Sequence, residues 1–295
     1  MKFKGLLYGF LVVFIWSGWI IVSKFGLHQN LTPWDIIGLR FSCAAAVTLP
    51  LLLKYRNDLK EIFNCKTALC SLGCGFPYVL TSFWGLELSP AANAGVIVNG
   101  MLPVFCSFIV FIWTGQKIDA FKALGIVLVF MANSMLLYGA DLTYRGAFWL
   151  LCAAFFLSFY SVSMRVWSIS IEKMMVAVPW VNFVLFMPLW FFAPSHLQLA
   201  SFNEIALQVL YQGVLVSVVA LYFMSQSINL LGSVTASTIM ALVPTVAAIL
   251  AWLFLKEELL VNKMVAIFLC TLGILFYNNG QFVFQVLFSK GKVRQ

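Results

Sequence analysis

GLLYGFLVVFIWSGWIIVSK, Gly5–Lys24, and GAFWLLCAAFFLSFYSVSMR, Gly146–Arg165, decide the fold, because they match one another at a displacement of 141 residues. Gly5 falls on Gly146, Phe14 on Phe155, Ser17 on Ser158 and Lys24 on Arg165. Each stretch is almost uninterruptedly apolar. Each has the length, about 20 residues, that crosses ~30 Å of hydrocarbon at ~1.5 Å per residue. The same displacement carries Pro103 onto Pro244, Lys122 onto Lys263 and Gly139 onto Gly280, without a gap inside the matched stretches. Around the second and seventh apolar segments the register slips.

Outward from this pair, polar breaks cut the chain into ten apolar segments, at 5–25, 34–53, 67–86, 90–113, 121–139, 146–166, 174–193, 205–226, 232–255 and 261–279. They divide into a first unit, 1–140, and a second, 141–295, that ends in a short tail. Five is odd, so consecutive copies of a five-helix unit enter the membrane in opposite senses. The expected fold is therefore an all-α polytopic membrane protein of ten transmembrane helices, arranged as two inverted five-helix repeats. Composition agrees: of 295 residues 63% are hydrophobic and 9% charged, with a mean hydropathy of +0.99. A soluble domain carries about a quarter charged residues. The opening segment follows Lys2 and Lys4 but is longer than a signal core of ~7–15 residues and lacks a small-residue cleavage site, so it reads as a retained first helix.

Basic residues orient the spans. With the N-terminus in the cytoplasm, thirteen lie inside (Lys2, Lys4, Lys54, Arg56, Lys60, Lys66, Lys117, Lys122, Arg165, Lys173, Lys290, Lys292 and Arg294). Four lie outside (Lys24, Arg145, Lys256 and Lys263), and Arg40 is left within a span. Both termini are expected in the cytoplasm, with the chain in the cytoplasmic (inner) membrane. The net charge of +8 then faces lipid headgroups, and no nucleic acid is expected as a partner. Six of the seven cysteines, Cys43, Cys70, Cys74, Cys106, Cys152 and Cys270, fall in apolar segments without a paired or metal-ligand spacing. No metal or cofactor is expected. An enzyme is disfavoured, since the sequence carries no phosphate-binding glycine loop, metal set or nucleophile–base pair.

The run Leu230-Leu231-Gly232-Ser233-Val234-Thr235-Ala236-Ser237, then Ala241-Leu242-Val243-Pro244 and Leu255-Lys256-Glu257-Glu258, resembles the second repeat of the EamA-type carriers of the drug/metabolite transporter superfamily. Ser89-Pro90-Ala91-Ala92-Asn93-Ala94, with Leu102-Pro103-Val104, resembles the same motif in the first repeat. The resemblance covers essentially all ten segments. It implies a ten-helix inverted-repeat carrier of small metabolites, in a superfamily that takes amino acids, cations, drugs and sugars. Glu257 matches the family glutamate after the ninth span, whereas the first repeat has Gln116 there, so a carboxylate shared by both halves does not carry over.

The candidate substrate contacts are aromatic or neutral polar residues within spans: Trp16, Ser17 and Trp19 in the first, Tyr78 and Trp84 in the third, Asn93 in the fourth, Ser158 and Tyr160 in the sixth, Trp180 in the seventh and Tyr222 in the eighth. Arg40, the one charge well inside a span, joins them as a partner for a substrate carboxylate. Its alternative is structural pairing or snorkelling. Trp19 and Tyr160 are repeat equivalents and are expected to centre the cavity. Asn99, Asn182, Ser225 and Thr238 add neutral hydrogen-bonding capacity, with Asn99 a candidate to satisfy the backbone opened by Pro103. Pro103 and Pro244 each remove a helical donor and are the hinge candidates. The small residues Ala91, Ala92, Ala94, Gly95, Gly232, Ser233, Ala236 and Ser237 suit close helix packing.

All ten acids lie in loops or at span ends, so no intramembrane proton relay is visible. The expectation is an alternating-access transporter that exports or exchanges small amphiphilic metabolites by facilitated diffusion or exchange. Large neutral or aromatic amino acids are the first class to test. The alternatives are a carrier of choline-like or drug-like cations in an aromatic cage and, in another class, a lipid flippase. The expected partners are the small-molecule substrate and membrane lipids, with the protein a monomer or weak homodimer.

Overall fold

The structure, a computed structural model, describes residues 2–137 and 143–288, and for 137, 233, 234 and 281–288 the backbone alone. Gly139, Lys290, Lys292 and Arg294 lie outside the described residues, as do Asp141 and the side chain of Ser233.

The first half comprises α1 (Lys2–His28), α2 (Pro33–Lys54), α3 (Cys65–Gly73), α4 (Phe76–Glu87), α5 (Ala91–Thr114) and α6 (Ala120–Leu137). The second comprises α7 (Tyr144–Val166), α8 (Ile171–Phe192), α9 (Phe202–Leu231), α10 (Ser233–Met240), α11 (Val243–Leu255) and α12 (Val261–Phe288). Taking α3 with α4 and α10 with α11 as broken spans, nine described helices are long and apolar enough to cross a membrane. The remaining one, α6, is apolar but shorter and abuts residues outside the description. The described residues thus hold nine spans and one shorter apolar helix where the sequence predicts ten spans.

Local chemistry explains the helix starts. Thr32 and Asp35 form a capping box ahead of Pro33 at the first helical position. The side chains of Asn64, Thr143 and Ser170 accept from Thr67, Gly146 and Lys173 amides, satisfying donors that the first turn leaves open. In the loop after α2, Glu61 pairs with Lys173 at 2.9 Å, which holds its carboxyl below the ordinary range.

The repeat reappears as packing. α1 lies against α9 and α11 as α7 lies against α4 and α5, α2 meets α8, and α6 meets α12. Individual contacts recur at the sequence displacement. Ser17 Oγ donates to Val243 O at 3.1 Å and Ser158 Oγ to Leu102 O at 3.4 Å. A Cβ on Gly5 would meet Leu231 and Leu230, and one on Gly146 would meet Ser89 and Leu88. These glycines admit the close approach that helix pairs in lipid use in place of a hydrophobic drive. Phe108, Ile112, Phe130, Val184, Phe254 and Phe268 are exposed on the outside, a surface suited to hydrocarbon.

The bundle has two ends. The near face carries the start of α1, with Gly5 beside Leu231. The far face carries its end, with Lys24 beside Ser89, and Thr143, which caps α7, bonded to Leu88. Helices α1 and α7 therefore start at opposite faces, as inversion requires.

Candidate functional site

A cavity of about 300 Å³ opens towards the near face between the halves. Its walls come from Trp16 of α1, Asn99, Leu102, Pro103 and Cys106 of α5, Ser161 and Arg165 of α7, Met240, Ala241 and Val243 around the α10–α11 break, and Tyr277 and Asn278 of α12. The volume is at the lower end of ~300–1,000 Å³ for small-molecule sites. The walls mix aromatic, amide and hydroxyl groups with one guanidinium. The break exists because Pro244 stands in the first turn of α11 and removes the donor for the Met240 carbonyl. Its equivalent Pro103 sits inside a helix that continues from Ala91 to Thr114, so the two hinge candidates differ in form. Asn99 donates to Gly95 O at 2.8 Å and does not tend the backbone at Pro103.

One turn further along α1 lies a buried polar cluster. Trp19 Nε1 donates to Gln212 Oε1 at 2.7 Å, and Arg40 Nη1 donates to the same oxygen at 3.3 Å. Gln212 Nε2 in turn donates to Ser23 Oγ at 3.0 Å and to Gln208 Oε1 at 3.2 Å, while Gln208 Nε2 donates to Val22 O at 2.9 Å. The Trp19 ring stacks on Tyr78 and Phe83, at centroid distances of 5.9 and 6.0 Å. Arg40 is 7% exposed and its Nε has no hydrogen-bond partner. Among the described residues no carboxylate lies within ion-pair distance of it. A π-helical stretch, Val209–Val219, sets the facing of Gln212; such segments are rare and recur at functional sites. The sequence reading passed over both glutamines. The signal was present, since two amides four residues apart in an apolar segment share one helix face.

At the far face, contacts among the described residues draw the two halves together. Glu257 accepts from the Ala91 and Ala92 amides at 2.6 and 3.1 Å. Lys24 Nζ donates to Leu86 O at 2.5 Å and Ser89 O at 2.6 Å. These contacts join α1, the α4–α5 turn and the end of α11.

The other candidates fall in several places. Ser17 and Ser158 serve helix contacts. Neither Trp19 nor Tyr160 lines the cavity; Trp19 enters the cluster, and Tyr160 packs against Gly73, leaving the wall to Trp16 and Ser161. Asn93 is buried with Oδ1 unpartnered, as is Trp180 Nε1. Asn182 accepts from Phe76 N at 2.8 Å and donates to Ser71 O at 3.2 Å, stapling the broken third span. Trp84 lines a separate far-face cleft with Glu87, Arg145 and Trp149. Tyr222 is exposed on the outside of the bundle. Thr238 accepts from Asn279 at 2.7 Å.

A family model described as the EamA-like transporter family matches residues 3–138 and again residues 144–279. No curated protein matches the chain. A solved crystal structure 16% identical in sequence covers 98% of this chain and 100% of its own, with a TM-score of 0.65, and shares the fold.

Proposed function

The chain belongs to the EamA-like transporter family, and from that premise we propose that this multi-pass membrane transporter exports or exchanges small amphiphilic metabolites bearing a carboxylate, large neutral or aromatic amino acids first among them. The observation that carries this reading is Arg40, a buried cation with one amide contact, an unpartnered Nε and no carboxylate partner among the described residues. A guanidinium inside a span is costly and is ordinarily paired. A solute carboxylate supplies the missing partner, with Gln212 and Trp19 beside it. The cavity supplies Trp16 for an apolar side chain and the Asn99 and Asn278 amides for the ammonium. Transport by facilitated diffusion or exchange fits the acids, which stand in loops or at span ends, with Glu257 engaged as a helix cap.

Thermal-shift measurement of the purified protein against amino acids, decarboxylated amines and choline tests the reading, because a ligand that binds only the native form stabilises it by mass action. Phenylalanine, tryptophan or leucine should raise the melting temperature, and the amines lacking the carboxylate should not. Stabilisation by choline or the amines alone overturns it. That outcome would favour the cation carrier, for which the far-face cleft offers Trp84 and Trp149 rings 4.6 Å apart beside Glu87.

We further propose that the near face is cytoplasmic and the membrane the inner one, on the thirteen-to-four distribution of basic residues. Reporter fusions after Lys66, Lys122 and Arg294 should read cytoplasm, and fusions after Glu87 and Asp141 outside. A C-terminal fusion that reads outside contradicts this.

A further inference from the structure

The far-face latch has an unused twin. Its parts are a helix start without a side-chain cap, Ala91 after Pro90, and a residue in the left-handed region, Lys256 with φ 55°. The left-handed turn ends α11 and sends the next residue, Glu257, onto the two amides. On the near face, α10 starts at Ser233 after Gly232, again without a side-chain cap. Helix α5 ends at Gly115, whose φ of 67° is also left-handed, and Gly115 and Lys256 are 141 positions apart. The next residue is Gln116, whose side chain is exposed. The repeat places Arg165 on Lys24, which holds the carbonyls of the α4–α5 turn. Arg165 is exposed at the mouth of the cavity.

We propose that Gln116 and Arg165 are the near-face gate residues of the transport cycle. When the near face closes, Gln116 accepts from the Ser233 and Val234 amides at the start of α10, and Arg165 donates to carbonyls of the turn that ends α9. The far-face pair lets go in the same step. The two latches differ in charge. A carboxylate on a helix N-terminus makes hydrogen bonds roughly twice as strong as a neutral amide and gains from the helix dipole. The Glu257 latch therefore outweighs the Gln116 latch, and the protein rests with its near face open. This inference does not depend on the identity of the solute.

Cys106 lies in the cavity wall and Cys65 is exposed at the near-face start of α3, so maleimide labelling of purified protein, read peptide by peptide, reports the gate against an internal reference. Gln116→Glu and Glu257→Gln should each lower the Cys106 to Cys65 labelling ratio, by roughly tenfold for a shift of one charge-assisted bond. The double variant should lower it most. Adding Gln116→Leu to Glu257→Gln should return the ratio towards that of the parent, which mere damage at Glu257 would not do. Unchanged Cys106 labelling in Gln116→Glu, with Cys65 labelled as in the parent, overturns the proposal.

Discussion

Arg40→Gln is expected to abolish most ligand-induced stabilisation while raising the melting temperature of the ligand-free protein. The two effects have opposite signs for one physical reason. In the ligand-free state the guanidinium is buried with a single amide contact at 3.3 Å and an unpartnered Nε, and a buried donor left unmade costs about 1–3 kcal/mol. Glutamine removes the charge and most of that cost. With solute bound, the same guanidinium provides a charge-assisted pair worth about 1.5–3 kcal/mol, so its loss weakens binding by roughly 10- to 100-fold. A structurally paired Arg40 gives the reverse result, a lower melting temperature without ligand and little change in affinity. Thermal melts over a phenylalanine titration separate the two.

Gly75→Val is expected to leave little or no monodisperse protein. A Cβ at this position would collide with Asn182 Oδ1, and the displaced amide is the one that bridges the gap between α3 and α4. Without it the Phe76 N–H and the Ser71 carbonyl lose their side-chain partner inside the membrane, where no water can replace it. Asn182→Leu, which removes the staple without a clash, should therefore lower stability by about 2–4 kcal/mol. A melting temperature of Asn182→Leu equal to that of the parent would show that these backbone groups find other partners.

The repeat is legible in the sequence because both copies keep the same residue types at the same spacing. Ser17 and Ser158, Gly5 and Gly146 sit at helix crossings, where inversion repeats the same neighbours at the same spacing. The family motif and the apolar segments were legible too. The candidate site was legible only in part. Trp19 and Tyr160 are repeat equivalents, yet equivalence fixes a position on a helix and says nothing about which face meets the pseudo-axis. Trp16, three residues earlier and so turned by about 60°, reaches the cavity wall. The spacing of Gln208 and Gln212 puts both amides on one face, but the π-helical stretch decides where that face points, so its meeting with Trp19 and Arg40 is not written in an ordinary helical periodicity. Glu257 was placed correctly at a helix end, but its partner lies 166 residues earlier in the chain, and no local pattern announces a cap donated across the two halves. Asn182 looked like a solute contact because a broken span, like a solute, presents a donor and an acceptor.

Counterflow in proteoliposomes is the direct test of the proposed carriage of an amphiphilic carboxylate by facilitated diffusion or exchange. Vesicles holding the purified protein are preloaded with unlabelled phenylalanine or left empty, and uptake of labelled phenylalanine is followed. Uptake by the parent should be faster into preloaded vesicles, and Arg40→Gln should lose that acceleration. Uptake by the parent no greater than in protein-free vesicles, or parent-like acceleration in Arg40→Gln, contradicts it.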